Sequence, residues 1–263
     1  MIYLGPGGIP TITEGDTFQA LHDLRRIGLN FMELEFVRGV YLKEEKAREI
    51  GKLAKELGLG LSIHAPYYVN LGNPEKFSAS KKRILDSCRI GHFLGAEYVV
   101  FHPGFYGKLA KAAVFKMVLK NCLEMQEAIQ KNKWGVFLGL ETTGKNSQFG
   151  TLDEILEICK EAKLCRPVID FAHIYARNGG RINYSEVLDR VKYLKHLHCH
   201  FSGIEFTGAG ERKHLPISSK SPDFAGLAEE IVKRGLDITI ISESPLLEQD
   251  SLRMKEILAG IRN

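Results

Sequence analysis

The stretch LGLSIHAP, residues 59–66, has a form that the chain repeats. A short apolar run stops at a residue able to hold a metal, here His64. The form returns in EYVVFHPG (97–104) at His102, in WGVFLGLE (134–141) at Glu141 and in PVIDFAH (167–173) at Asp170 and His173. It returns again in YLKHLHCHF (193–201) at His200 and in DITIISE (237–243) at Glu243. Metal-binding residue types at one end of many strands imply a single polar centre. That is the mark of a candidate catalytic centre rather than of scattered surface charges.

Working outward, helical patterns fill the spaces between these runs. Ile2–Leu4 begins an apolar strand before a glycine-rich turn, GPGG (5–8). Thr17–Ile27 places Phe18, Leu21, Leu24 and Ile27 on one helical face. Phe31–Phe36 is the second strand, Lys43–Leu57 a helix ended by Gly58 and Gly60–His64 the third strand. The series continues with a helix over Ala79–Leu94, a strand over Glu97–His102 and a helix from Lys108 to Lys131. Val136–Glu141 is the fifth strand, and Thr151 with Glu154 forms a capping box at the start of the next helix. Strands at Val168–Asp170, His196–His200 and Asp237–Glu243 complete eight, with helices over Tyr184–Tyr193, Phe224–Arg234 and Ser251–Ile261.

Eight strand–helix units in 263 residues predict a (β/α)8 TIM barrel of the α/β class, one domain spanning 1–263. The strands are short, apolar and β-branched, as fully covered parallel strands are. A doubly wound open sheet would call for a phosphate loop, and GPGG is not GxGxxG. The long irregular stretches Tyr67–Phe77, Glu141–Gly150 and Ser202–Asp223 all follow strand C-termini, where barrels build their sites.

Bulk properties exclude several classes. No tract is apolar and long enough to span a membrane, and the first residues do not form a basic-then-apolar signal. The expectation is a cytoplasmic monomer. Five cysteines without CxxC argue against disulfides and thiolate zinc, and Cys199 should face away from His198 and His200. A net charge of +4, spread along the chain, permits a polyanionic partner without requiring one.

His64, His102, Glu141, Asp170, His200 and Glu243 come from six strands but occupy equivalent ends. Carboxylates gathered so densely need a counter-charge, and divalent cations supply it. Mixed imidazole and carboxylate donors suit Zn²⁺, with Mn²⁺, Fe²⁺ or Co²⁺ also accepted. The donor count accommodates two or three ions. Such a centre can hydrolyse a phosphodiester, with Glu141 or Glu243 aligning water, or can polarise a sugar for isomerisation.

HAPYYVNLG (64–72), HPG (102–104), GLETTG (139–144), DFAH (170–173), HCHFSG (198–203) and SESP (242–245) resemble, in that order, the motifs of the endonuclease IV family. That is family 2 of the apurinic/apyrimidinic endonucleases, within the xylose-isomerase-like TIM barrels. The resemblance implies a trinuclear zinc centre that cuts duplex DNA 5′ to an abasic site. It implies His64 and His102 on the first metal, Glu141 and Glu243 bridging the first and second, Asp170 and His200 on the second, and His173 on the third. It also matches Tyr67 to a position that probes the abasic gap, and Arg38 to a loop residue that enters the DNA. The chain departs from the family after strand seven. An Asp-x-His pair is expected there, and GERKHLP (210–216) stands in its place. Glu211 can replace the aspartate. Lys213 holds the expected histidine position and cannot ligate while protonated, so His214 would take over by a shift of the loop.

Other polar residues get plainer readings. Glu33 and Glu35 share a face of strand two and can either reach the site or form a salt bridge at the barrel top, the reading taken here. Lys145, Arg212, Lys213 and Lys220 read as solvated loop charges that can meet phosphates. Tyr67 and Tyr68 can stack on a base or wedge into a duplex. Three functions follow: a DNA repair endonuclease, a divalent-metal sugar isomerase or epimerase, or a metal-binding barrel without catalysis.

Overall fold

The computed structural model describes residues 1–262. In chain order the elements begin with β1 (Ile2–Pro6), α1 (Thr17–Ile27), β2 (Phe31–Glu35), α2 (Glu44–Leu57), β3 (Gly60–His64) and α3 (Phe77–Leu94). They continue with β4 (Tyr98–Phe101), β5 (Gly104–Phe105), α4 (Lys111–Asn132), β6 (Phe137–Glu141), β7 (Gln148–Phe149) and α5 (Leu152–Glu161). Next come β8 (Cys165–Asp170), α6 (Phe171–Arg177), α7 (Tyr184–Val191), β9 (Leu197–Phe201), β10 (Gly203–Thr207) and β11 (Gly210–Leu215). A short 3-10 helix (Ile217–Ser219), α8 (Phe224–Arg234), β12 (Ile238–Ser242) and α9 (Glu248–Arg262) finish the chain.

Eight strands pair in the order β1-β12-β9-β8-β6-β4-β3-β2, and each of these pairings is parallel. The ends of this sheet, β1 and β2, meet through a bridge between Gly7 and Glu33 and a hydrogen bond of 2.9 Å from Gly8 N to Glu33 O. The (β/α)8 barrel expected from the sequence is therefore the fold. The main hydrophobic core lies between strands and helices, and it takes up residues such as Leu21, Ile50, Phe101, Leu138 and Phe201. Each such side chain contributes roughly 1.5–3 kcal/mol on burial. A smaller cluster of Tyr98, Val100 and Val168 is separate from it.

Several local readings hold. Thr151 accepts from Glu154 N, and the Glu154 carboxylate returns to Thr151 N, which is the full capping box. Cys199 packs in the main core, on the opposite strand face from His198 and His200. All five cysteines are free. Among the described residues no helix is long and apolar enough to cross a membrane.

Three local readings need correction. GPGG is not simply a turn, because Gly5 and Pro6 belong to β1. A Cβ on Gly5 would lie 1.8 Å from the Phe31 carbonyl oxygen, so only glycine lets β1 approach β2 and close the barrel. The stretch 202–223 is not irregular throughout, since β10 and β11 form an antiparallel hairpin. The third concerns Phe171–Arg177, a helix that the sequence reading does not include. Asp170 is the last residue of β8 and caps α6, accepting from His173 N at 2.6 Å.

The seam makes a test of barrel closure. Gly5→Ala should lower stability by about 3 kcal/mol or leave the protein insoluble, because backbone on both sides must shift. Urea unfolding of the variant beside the wild type measures this. An unchanged midpoint would show that the β1–β2 contact is dispensable.

Candidate metal centre

The strand ends deliver their side chains to one place. His64 ends β3, Glu141 ends β6 and Asp170 ends β8, while His102 and Glu243 follow β4 and β12 directly. His200 lies opposite Asp170 in the β8–β9 register. Glu141 is wholly buried and stands at the middle. Its Oε2 lies 3.2 Å from His64 Nε2 and 2.8 Å from His102 Nε2. Its Oε1 lies 3.1 Å from His173 Nδ1 and 3.3 Å from His200 Nδ1. Glu243 divides in the same way, Oε1 lying 3.1 Å from His200 Nδ1 and Oε2 3.8 Å from His214 Nδ1.

Donor atoms gather into groups within 4.8 Å of one another. One is His64, His102 and Glu141. A second is Glu141, Asp170, His200 and Glu243. A third is His173, Glu211 and His214. All nine residues singled out as candidate ligands in the sequence thus fall into these three groups.

The third group shows how the chain accommodates Lys213. Strict alternation along β11 would send Glu211 and Lys213 to one face and His214 to the other. The β10–β11 register shifts between Glu205 and Phe206, so that Phe206 pairs with Glu211 but Glu205 pairs with Lys213. Arg212 is the extra residue of this bulge, which brings Glu211 and His214 to the same side. Lys213 turns outward and pairs with Glu205 Oε2 at 3.2 Å. Ser202 Oγ sits 3.0 Å from His214 Nδ1, and His214 Nε2 faces Glu211 Oε1 at 3.9 Å. Gly144, in the loop after β6, makes room for this group. A Cβ there would lie 2.6 Å from Glu211 Cβ and 2.9 Å from His173 Cδ2.

The donor set fits divalent cations. Glu141 Oε1, Asp170 Oδ2, His173 Nε2 and His200 Nδ1 are buried without an aligned hydrogen-bond partner. Several approach other donors within 3.5 Å, yet they converge on common points rather than aiming at one another. Unpaired buried polar atoms are costly, and several in one place indicate a missing common partner.

Burial and neighbouring charges shift the protonation of these groups in opposite directions. Burial opposes ionisation of Glu141, but the imidazoles of His102 and His200 outweigh it and hold its carboxyl well below the usual range. Glu243 is half-buried at the cleft, and His200 brings it down to about 2. Burial pushes Asp170 up to about 6 and Glu35 up to about 8, against the pull of neighbouring histidines. Burial lowers His64, but Glu35 and Glu141 outweigh it and raise the imidazole to about 10. His173 and His200 are raised for the same kind of reason.

Above these groups lies a cleft of about 430 Å³, bordered by Tyr67, Phe105, Lys145 and Gln148 as well as by ligand candidates. Tyr67 is 57% exposed and can present its ring to a bound molecule. Tyr68 and Arg38 are exposed but do not line the cleft, so any contact from them is made further out. Arg177 holds the loop after β6 through Thr143, Lys145 and Gln148. A larger recess of about 600 Å³ lies outside the cleft, between α5, α6 and α7.

Sequence reasoning missed some of the site. Of the two readings of Glu33 and Glu35, the rim salt bridge fails and the reach into the site holds. Glu33 is wholly buried against His198 and His200, while Glu35 lines the cleft and groups with Glu33 and Glu243. The available signal was the alternation itself, because E-x-E and H-x-H each place two polar residues on one face of a barrel strand. Phe105 gave no signal at all.

The fold and this arrangement define a (β/α)8 barrel with a histidine- and carboxylate-rich site at the C-terminal mouth of its strands. The chain belongs to the xylose isomerase-like TIM barrel family, whose profile matches residues 21–262. It is similar to an uncharacterized protein of Methanocaldococcus jannaschii, 36% identical over 264 residues and covering 96% of this chain and 95% of that one. It is similar to a probable endonuclease 4 of Mycoplasma mobile, 27% identical over 228 residues and covering 82% of this chain and 79% of the relative. A solved D-tagatose 3-epimerase-like protein shares the fold with a TM-score of 0.75 at 20% identity, covering 98% of this chain and 97% of that one. The endonuclease IV resemblance and the barrel family are thus both reflected among its relatives.

The pKa shifts set a pH dependence. Asp170, Glu35 and His64 hold protons more tightly folded than unfolded. Their stabilisation is complete below the unfolded values and is lost as pH rises through about 6, about 8 and about 10 in turn. Glu243 works at the other limit, stabilising above its ordinary range and losing this as pH falls through about 2. Chelator-stripped protein should therefore lose about 5 °C or more in Tm between pH 6.5 and 10. Protein loaded with a divalent cation should lose less, since cations replace those protons. Calorimetry across this range decides, and equal profiles with and without metal would contradict the assignment.

Proposed function

We propose that this protein is a metal-dependent phosphodiesterase that cuts duplex DNA 5′ to abasic sites. The observation that carries the reading is the third donor group. Glu211 and His214 meet His173 even though Lys213 occupies the position expected for a histidine. A barrel needing one ion has no use for this hairpin-borne pair. The similarity to a probable endonuclease 4 supports the same reading.

His64, His102 and Glu141 would hold the first ion, Glu141, Asp170, His200 and Glu243 the second, and His173, Glu211 and His214 the third. Zn²⁺ suits these nitrogen and oxygen donors, and Mn²⁺, Fe²⁺ or Co²⁺ can replace it. When bound, such ions acidify water and neutralise charge on phosphoryl oxygens. Glu141 and Glu243 each turn two oxygens to different neighbours, which fixes the spacing of the groups and aligns water against the phosphorus. Lys145 at the cleft wall meets a flanking phosphate, with Arg38 doing so further out. Tyr67 and Tyr68 offer rings to the bases beside the gap.

A second reading has its own observation. Glu141, Asp170, His200 and Glu243 form a four-residue group sufficient for one ion. The cleft of about 430 Å³ also suits a small ligand. This is the arrangement for isomerising or epimerising a sugar. A barrel that binds metal and turns over neither substrate is the third outcome.

A duplex oligonucleotide bearing one abasic analogue, with and without chelator, separates them. Metal-dependent cleavage confined to the analogue strand is expected, with no ketose turnover. Glu141→Gln should reduce cleavage by at least about 10³-fold while the far-ultraviolet spectrum stays the same. Wild-type-like cleavage by that variant would sink the proposed centre. His214→Ala should lose about one equivalent of tightly bound metal by elemental analysis, and unchanged stoichiometry would reject its role.

A further inference from the structure

We infer that Glu33 is a positioning residue that fixes which nitrogen of His200 faces the metal centre. This rests on the metal-centre reading above. Glu33 lies on β2, His200 on β9, and both are wholly buried. Glu33 Oε1 is 3.0 Å from His200 Nε2, a close approach of two buried atoms neither of which has another hydrogen-bond partner. The opposite ring nitrogen, Nδ1, lies 3.1 Å from Glu243 Oε1 and 3.3 Å from Glu141 Oε1. The imidazole is therefore strung between two layers of carboxylate. One nitrogen goes to the candidate ligand group and the other to a residue below it.

The lower layer is itself held in place. Ser62 Oγ donates to Glu33 Oε2 at 2.6 Å, and His198 Nε2 lies 3.3 Å from the same oxygen. His198 is stacked on Tyr98 with ring centroids 4.8 Å apart and meets Phe31 edge-on at 5.7 Å. Glu33 thus has little freedom to leave His200. Barrel interiors are ordinarily filled with branched apolar side chains, and a carboxylate there is costly unless it is paired. A ligand histidine whose second nitrogen meets a carboxylate has its tautomer and ring orientation fixed and its donor atom made more basic. Glu33 supplies that carboxylate from across the barrel. Glu35, two residues on, faces the cleft instead and cannot take its place.

Co²⁺ titration of metal-free protein tests this, read by the affinity of each equivalent and by the visible spectrum. Glu33→Gln keeps the size and the contact with Ser62 but removes the charge. It should bind the same number of equivalents, with one weakened roughly 10- to 100-fold and its spectrum altered. Ser62→Ala should weaken that same equivalent by a smaller factor. A structural role alone would lower Tm and leave the selective change in one equivalent absent. A folded Glu33→Gln variant with wild-type affinities and spectrum overturns the inference. If Glu33→Gln does not fold, unchanged affinities in Ser62→Ala overturn it instead. Wild-type protein that takes up no Co²⁺ removes the metal-centre reading itself, whereas wild-type uptake with an unaltered Glu33→Gln removes only this step.

Discussion

A single buried carboxylate, that of Glu141, organises the mouth of this barrel. It has no exposure to solvent, and imidazoles from four other strands or their following helices approach its two oxygens. A lone carboxylate at that depth would be unstable by several kcal/mol. It is held there because His64, His102, His173 and His200 supply positive charge or hold metal in its place. The remaining features follow from meeting this requirement. Strands must end at the same height, the barrel must close, and loops must bring further donors over the top.

Much of this was legible in the sequence, for a physical reason. A (β/α)8 barrel places the C-termini of all its strands on one rim, so residues that end successive apolar runs become neighbours. One-dimensional spacing then suffices to predict that His64, Glu141 and Asp170 meet. What stayed illegible depends on pairing rather than on spacing. Glu33 reads as a rim charge because its partners, His198 and His200, come from a strand remote in sequence. Gly5 reads as part of a turn because nothing near it announces that the Phe31 carbonyl will lie against it. The bulge at Arg212 belongs to the register of two strands, and neither strand alone contains it.

The candidate donors differ in what carries them. A group such as Glu141, Asp170, His200 and Glu243 is built wholly from barrel strands and their immediate ends. The third group is different in kind, because two of its residues ride on the hairpin formed by β10 and β11. That hairpin is pinned by a bridge from Gly210 to Lys145 and by hydrogen bonds from Asn146 to Ala209 and Gly208. Loops after β6 and β9 are thus fastened to each other above the strands.

Asp170 divides its two oxygens between unrelated tasks. Oδ1 accepts from His173 N and starts α6, while Oδ2 is buried without a partner and faces the centre. The helix that begins there carries His173 in its first turn and Arg177 at its end, and Arg177 in turn shapes the loop bearing Lys145. Any replacement of this residue therefore disturbs the scaffold of a neighbouring donor and of a cleft wall along with its own donation. Removing one donor atom by mutation at this position is not a clean operation. An asparagine, which keeps an oxygen for the cap, separates the two effects better than an alanine, which abolishes both.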